Sequence, residues 1–468
     1  MTRIDVLPDE VILGIFDFYV IISSWNTGRQ RVDGWQSLVH VCRRWRGLVL
    51  ASPRRLNLHL YCTHRTPARD TLDVWPSLPL IVEGNMAFSS GTDDVIAALE
   101  QSNRVRQVSL KYFKGWQLEE VLASMHVPFP ELTHLELTSN GETVPVIPDS
   151  FLHGSAPRLL SLSLEGIPFP GLPKLLLSAT HIVHLRLINI PHSGYFLPEA
   201  TVALLSVLSS LETFYLEFQS PQSRPDRETR RHRPSKRTVL PALRLFCFKG
   251  VIEYLEDLVT HIDTSQLDIM QTTFFNQIDF DIPRLVQFIN RTAKPRKHDA
   301  TVQFNDDFAL VRHSSRIPEI AISCKEPDWQ LSSIEQVCNS FSHPFSTVEV
   351  LYIKHHYSKP VWKNDAIENT LWLQLLLPFT AVKNLYLSKE FAPGIAAALQ
   401  DLVGDRIMEV LPSLQKIFVR KLGPSGPFRE KIGQFVAARQ LSDHPIVISD
   451  WDWDNFDWGN LDWDKHSD

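Results

Sequence analysis

The sequence predicts an α/β protein, a short helical segment followed by an irregular solenoid of stacked repeats built on a parallel sheet. Three observations predict it. A short apolar pattern returns about ten times beyond residue 100, helix-like stretches separate its copies, and two strongly apolar helical patterns occupy the first fifty residues.

The opening helix starts at Pro8, whose missing N–H costs nothing in a first turn, and Asp9 and Glu10 complement the positive end of the helix dipole. Leu7, Val11, Ile12, Ile15 and Phe16 recur at three- and four-residue steps, so most of the circumference is apolar. A second helical pattern places Trp35, Leu38, Val41, Cys42, Trp45 and Leu48 on one side, with Arg43, Arg44 and Arg46 toward water. A unit below about 40 residues rarely stabilises itself, so these stripes need a partner, either another protein or the rest of the chain.

These residues resemble an F-box. That pattern begins with Leu-Pro, continues through an acidic residue into an aliphatic-aliphatic-x-x-Ile-Phe helix, and closes on Val-Cys-x-x-Trp. Leu7, Pro8, Glu10, Val11, Ile12, Ile15, Phe16, Val41, Cys42, Arg43 and Trp45 fall on it. The resemblance covers residues 4 to 50 and implies docking on a Skp-type adaptor, and through it on a cullin, with Leu7, Pro8, Val11, Ile12, Ile15, Phe16, Val41, Cys42 and Trp45 as the contact set. Ser23 to Gly34 departs from the pattern by reading as a loop where the family continues into a short middle helix. The helical domain is expected over residues 1–60 and a connecting, capping segment over 61–100.

Behind it an aliphatic residue, two variable ones, a second aliphatic, one variable and a third apolar residue recur. The copies begin with Val105-Val108-Leu110, Leu132-Leu135-Leu137, Leu159-Leu162-Leu164, Ile182-Leu185-Leu187, Leu211-Phe214-Leu216 and Leu243-Phe246-Phe248, and their middle positions lie 27, 27, 23, 29 and 32 residues apart. The pattern returns at Ile317-Ile320-Ile322, Val348-Leu351-Ile353, Val382-Leu385-Leu387 and Leu414-Ile417-Val419. The last two apolar positions of each copy share one face of a strand. Helices are expected at Glu119 to Met125, Pro173 to Ala179, Ala200 to Leu208, Ile282 to Thr292, Ile395 to Val403 and Arg429 to Arg439, and such returns force the strands to run parallel. The array, residues 101–442, resembles a leucine-rich repeat domain of an irregular kind. Thr138-Ser139-Asn140 completes the consensus turn once, and most copies lack its Asn.

The variable positions beside the inner pair line the opposite, concave face, where a protein substrate would be captured. Its candidates are Arg186, Tyr215, Tyr352, Tyr386, Phe418 and Arg420, since tyrosine and arginine side chains most often anchor protein interfaces. Two segments interrupt the pattern. Residues 220–237 carry seven basic residues and three prolines and read as a mobile basic loop. Residues 443–468 alternate tryptophan with aspartate and read as a disordered acidic tail that folds on a basic, groove-bearing partner or back onto that loop.

With 44% hydrophobic residues and a net charge of −6, the chain can bury a large core and presents no general field for nucleic acid or an anionic membrane. The five cysteines are scattered and form no Cys-x-x-Cys pair, which suits buried thiols in a reducing, cytoplasmic or nuclear compartment. The run Val11 to Ile22 is interrupted by Asp17 and is too short for a span of about 20 residues. No nucleophile elbow, phosphate loop or metal-ligand spacing is present, so neither an enzyme nor a cofactor is expected. Two functions remain: a substrate receptor of a Skp/cullin/F-box ubiquitin ligase, or a leucine-rich-repeat protein-binding scaffold whose first helices merely cap the array.

Overall fold

A computed structural model describes residues 7–24, 38–51, 58–62, 68–74, 79–85, 91–141, 144–223, 237–276, 280–292, 298–313, 318–355, 369–402, 404–420, 422 and 426–451. The chain divides into two compact units, Met1–Phe196 with Ala203–Leu211, and Leu197–Val202 with Glu212–Asp468.

The first unit opens with the helices Asp9–Ser24 and Arg43–Ala51. They are joined by the edge of the Trp45 ring against Phe16, with centroids 4.7 Å apart, and by Arg44, which donates to the Leu7 carbonyl and to Asp9, both at 2.6 Å. Behind them β1 (Leu58–Tyr61), β2 (Leu80–Asn85), β3 (Val105–Phe113), β4 (His134–Ser139), β5 (Ser161–Glu165) and β6 (His184–Ile190) pair in sequence order, every pair parallel. The repeat positions stack in register. Val82, Val108, Leu135, Leu162 and Leu185 form one buried row, and Leu110, Leu137, Leu164 and Leu187 form the next. Each copy thus supplies two side chains to a continuous apolar layer, covered by helices such as Gly115–Ser124, which buries Leu118, Val121 and Leu122. At the one consensus turn it is Ser139 that bridges repeats, donating to the Phe113 carbonyl at 3.3 Å, while Asn140 is exposed.

The capping segment expected over 61–100 is instead two further strand-and-helix repeats. It contains all of β2 together with the helices Ala68–Val74 and Thr92–Leu99, and β1 begins inside the expected helical domain. With Leu60 and Val82 in the row of Val108, Asn57 and Pro79 stand where the pattern needs its first aliphatic residue and Gly84 where it needs its third, which hid both copies.

In the second unit the repeat continues as β7 (Thr213–Phe218), β9 (Leu245–Gly250) and β11 (Ile269–Phe275), with a separate parallel pair of β8 (Thr238–Val239) and β10 (Ile262–Asp263). Phenylalanine replaces leucine in this layer. Phe214 stacks on Phe246 at 5.4 Å, and Phe248 meets Phe274 at 6.4 Å. The helix Ile252–His261 closes over them through Tyr254, whose hydroxyl lies 2.6 Å from that of Thr201.

The expectation of a wholly parallel sheet fails at β12 (Asp299–Phe304), β13 (Phe308–His313) and β14 (Glu319–Ser323). Strand β14 pairs with β11 and strand β12 with the later β15 (Val350–His355), while β13 runs antiparallel between β14 and β12. The cause is local. Only Asn305, Asp306 and Asp307 separate β12 from β13, too few for the crossover that parallel strands require, and the Asn305 side chain accepts the Asp306 N–H at 2.7 Å to set the turn. The parallel order then resumes through β16 (Asn384–Leu387), β17 (Lys416–Arg420) and β18 (Val447–Trp451).

Strand β18 corrects a second expectation. Residues 447–451 of the stretch read as disordered form an edge strand on β17, pinned where Asp450 accepts the Leu422 N–H at 2.8 Å. Residues 452–468 and the basic loop from 224 to 236 lie outside the described residues. Among the described residues no helix is long and apolar enough to cross a membrane, and no three His, Cys, Asp or Glu side chains are grouped to hold a metal ion. Cys62, Cys247, Cys324 and Cys338 are buried thiols outside any disulfide, and Cys42 is a half-buried one. Burial pushes the Cys62 thiol up to about 12.

Candidate functional site

Three surfaces carry the residues singled out in the sequence. On the N-terminal helices the apolar set divides in two. Ile12 and Phe16 are 1% and 4% exposed, whereas Val11, Ile15 and Val41 are 46%, 44% and 59% exposed. The half-buried Leu7, Cys42 and Trp45 and the exposed Pro8 complete the set. The division follows helix geometry. Phe16 faces Trp45 of the neighbouring helix, and Val11 and Ile15, one turn apart, share a face that those helices leave uncovered. Ile12 and Phe16 therefore shape the helix pair from inside rather than offering contact surface to a partner.

The open face of the first unit is polar. Tyr61, Glu83, Ser109, Glu136, Ser163 and Arg186 lie in register as one row across six strands and line a cavity of about 720 Å³. Glu136 organises its centre, accepting from the Ser109 hydroxyl at 2.6 Å and pairing with Lys111 at 3.0 Å. Glu83 lies 3.2 Å from His59. Burial, with the charge of Arg106 and then of His184, holds the His134 imidazole below its usual range, so it is a neutral donor and acceptor at neutral pH. Arg186 belongs to this row.

The open face of the second unit is aromatic. Tyr352, Tyr386 and Phe418 occupy one register row on β15, β16 and β17. Tyr352 stacks on Tyr386 at 4.7 Å with planes 23° apart, and Tyr386 on Phe418 at 4.4 Å with planes 7° apart. Trp451 from β18 lies edge-on to Tyr386 at 4.7 Å and reaches within 6.1 Å of Tyr352. Beside the rings, two residues further along their strands, stand Lys354 and Arg420. Burial, and then the charge of Arg312, lowers the Lys354 ammonium to about 8. Burial also raises the Tyr352 hydroxyl to about 12, helped by Tyr386 and Asp299, so it stays a neutral hydrogen-bonding group.

The structure thus brings together Tyr352, Tyr386, Phe418 and Arg420 from the predicted substrate set. Tyr215 is separate, on β7 at the other end of the same unit's strand order. Sequence reasoning missed Trp451, whose repeat copy carries Pro445, just ahead of the strand, and Asp450 at two of the three positions reserved for apolar residues.

No protein-family model matches the chain, and no curated protein matches it. Among solved structures the chain is similar to the leucine-rich repeat-containing protein LegL7 from Legionella pneumophila, at 12% identity over 81% of this chain and 97% of that one, with a TM-score of 0.26. The leucine-rich-repeat-like α/β architecture stands on the register rows and the strand-helix alternation of the chain itself.

Proposed function

We propose that the chain is the substrate-recognition subunit of a Skp/cullin/F-box ubiquitin ligase. Its first two helices dock a Skp-type adaptor, and the open faces of its repeats capture a protein substrate. The observation that supports this reading best is the exposure of Val11 and Ile15 on the first helix and of Val41 in the turn before the second, in a segment whose sequence follows the F-box pattern. Three large aliphatic side chains held in water within one small N-terminal segment are costly unless a partner shields them.

The chain performs no chemistry in this role. It contributes proximity, holding a substrate so that transfer from a conjugating enzyme elsewhere in the assembly becomes effectively intramolecular. The paired rings of Tyr352, Tyr386 and Phe418 supply rigid apolar area at little entropic cost, and the rows around Glu136 supply hydrogen bonds and charge.

The burial of Ile12 and Phe16 favours one competing reading, a protein-binding scaffold whose first helices only cap the array. Mixing the purified chain with a recombinant Skp-type adaptor separates the two. A receptor forms a one-to-one complex on size exclusion, and a capped scaffold elutes alone.

A further inference from the structure

Charged and uncharged groups line the cavity on β1–β6, and they behave differently. The formal charges balance, Glu83 and Glu136 against Lys111 and Arg186, and both carboxylates are met from within the face. Glu136 accepts from the Ser109 hydroxyl at 2.6 Å and pairs with Lys111 at 3.0 Å, while Glu83 lies 3.2 Å from His59. The uncharged groups stay open. Among the described residues the side chains of Gln107, Ser161 and Ser163 have no hydrogen-bond partner, and His134 is held only through Nδ1, 2.9 Å from the Thr133 hydroxyl. Gln107, His134 and Ser161 stand side by side on β3, β4 and β5, and Ser163, two residues further along β5, is in register with Glu136. An amide, an imidazole and two hydroxyls thus line one cavity of about 720 Å³, able between them to donate and to accept.

These groups select a ligand by charge and by shape. A lining of zero net charge, with its carboxylates already satisfied, gives an acidic or basic side chain no counter-charge in return for its lost hydration. Nucleic acid needs a cationic groove with open ring faces, and a glycan needs such a face for its sugar rings. Tyr61 is the one phenol ring among the described lining residues, and it packs against His59 with centroids 5.3 Å apart. An extended polypeptide fits instead. Its backbone N–H and C=O groups must all find partners, and short amide or hydroxyl side chains match the same donors and acceptors. Six strands span about 24 Å, the length of about seven extended residues.

We infer that the cavity on β1–β6 binds an extended, uncharged polypeptide segment rich in serine, threonine, asparagine or glutamine, held by Gln107, His134, Ser161 and Ser163. The paired charges of the row fix the Ser109 hydroxyl and the edges of the cavity, and the open neutral groups make the contacts. This names the class of substrate taken by the first unit and rests on the capture role proposed above, but the site itself needs no adaptor.

The test is calorimetry on the full chain with three acetylated and amidated peptides of about eight residues, alternating serine with asparagine, with lysine or with aspartate, and with adaptor binding measured on the same samples. The neutral peptide binds at least about tenfold more tightly than either charged one, and its affinity changes less than about twofold between about 0.05 and about 0.5 M salt. S161A/S163A weakens it by about tenfold, and Q107A on another strand by about fivefold, while thermal midpoints stay within a few degrees. A charged peptide that binds as tightly as the neutral one overturns the inference, as does neutral-peptide binding that survives unchanged in both variants. Preference for an unbranched glucose oligosaccharide over every peptide also overturns it. A chain that binds the neutral peptide but no adaptor sustains the inference and refutes the ligase reading, whereas one that binds the adaptor but none of the peptides overturns the inference and leaves that reading standing.

Discussion

Tyr386 and Phe418 face each other in register on β16 and β17, their rings 4.4 Å apart and 7° from parallel. Such contact on an open strand face exceeds what sheet formation requires, and it makes the pair a rigid platform. Aromatic pairs contribute about 1 kcal/mol beyond area burial. A double-mutant cycle with Y386L and F418L, read by urea unfolding, gives a coupling energy of about that size. A coupling near zero means the rings merely happen to lie together.

Glu256 predicts a pH dependence. Its carboxylate accepts the backbone N–H groups of Leu285 at 2.7 Å and Arg284 at 3.1 Å, at the start of the helix Pro283–Thr292. Burial outweighs those hydrogen bonds and the Arg284 charge and raises the carboxyl from 4.5 to about 7. The folded state thus holds this proton more tightly than the unfolded chain does. The stability it contributes is fully present below pH 4.5 and is lost as pH rises through about 7. Unfolding midpoints across that window fall for the parent and flatten in E256Q; an unchanged slope in E256Q rules the assignment out.

Gly166 tolerates no side chain. It sits at φ +68, its N–H donates to the Ile188 carbonyl at 2.9 Å, and an added Cβ would approach the Ser139 carbonyl oxygen to 2.5 Å. G166A should lose about 2 kcal/mol, from left-handed strain and the clash together. Calorimetry showing no change contradicts the tight approach of these two repeats.

Arg439 is the buried cation of the C-terminal repeats. It is fully buried on the helix Pro427–Leu441 and donates to the carbonyls of Leu411 at 2.7 Å, Val410 at 3.1 Å and Pro412 at 3.2 Å. Leu411 itself is held at φ +49. R439M leaves those carbonyls without their donor in the interior, at a cost of about 3 kcal/mol. A variant as stable as the parent shows that methionine packing offsets the lost hydrogen bonds.

The repeat was legible because a buried leucine-rich row needs only the spacing that strand geometry imposes, as Leu135, Leu162 and Leu185 display. It became illegible where chemistry substituted for that spacing. Thr272 occupies an apolar position in β11, Asp450 one in the edge strand β18, and a three-residue turn at Asn305 reverses β13 without any change in apolar content. The site was legible as a list, since Tyr352, Tyr386 and Phe418 share a repeat position. Its assembly was not, because Trp451 reaches them across two strands. On the helices, alternation alone could not say which apolar residues face inward; the Phe16–Trp45 contact decides it.

That division of the first helices gives the most direct test of the account. The affinity of the full chain for a Skp-type adaptor is measured by calorimetry for the parent, for V11D/I15D and for F16A. Each exposed anchor is worth about 2 kcal/mol. The account predicts that V11D/I15D abolishes binding with an unchanged thermal midpoint, whereas F16A lowers the midpoint first. A parent that does not bind the adaptor, or a V11D/I15D variant that binds it as tightly as the parent, contradicts the account.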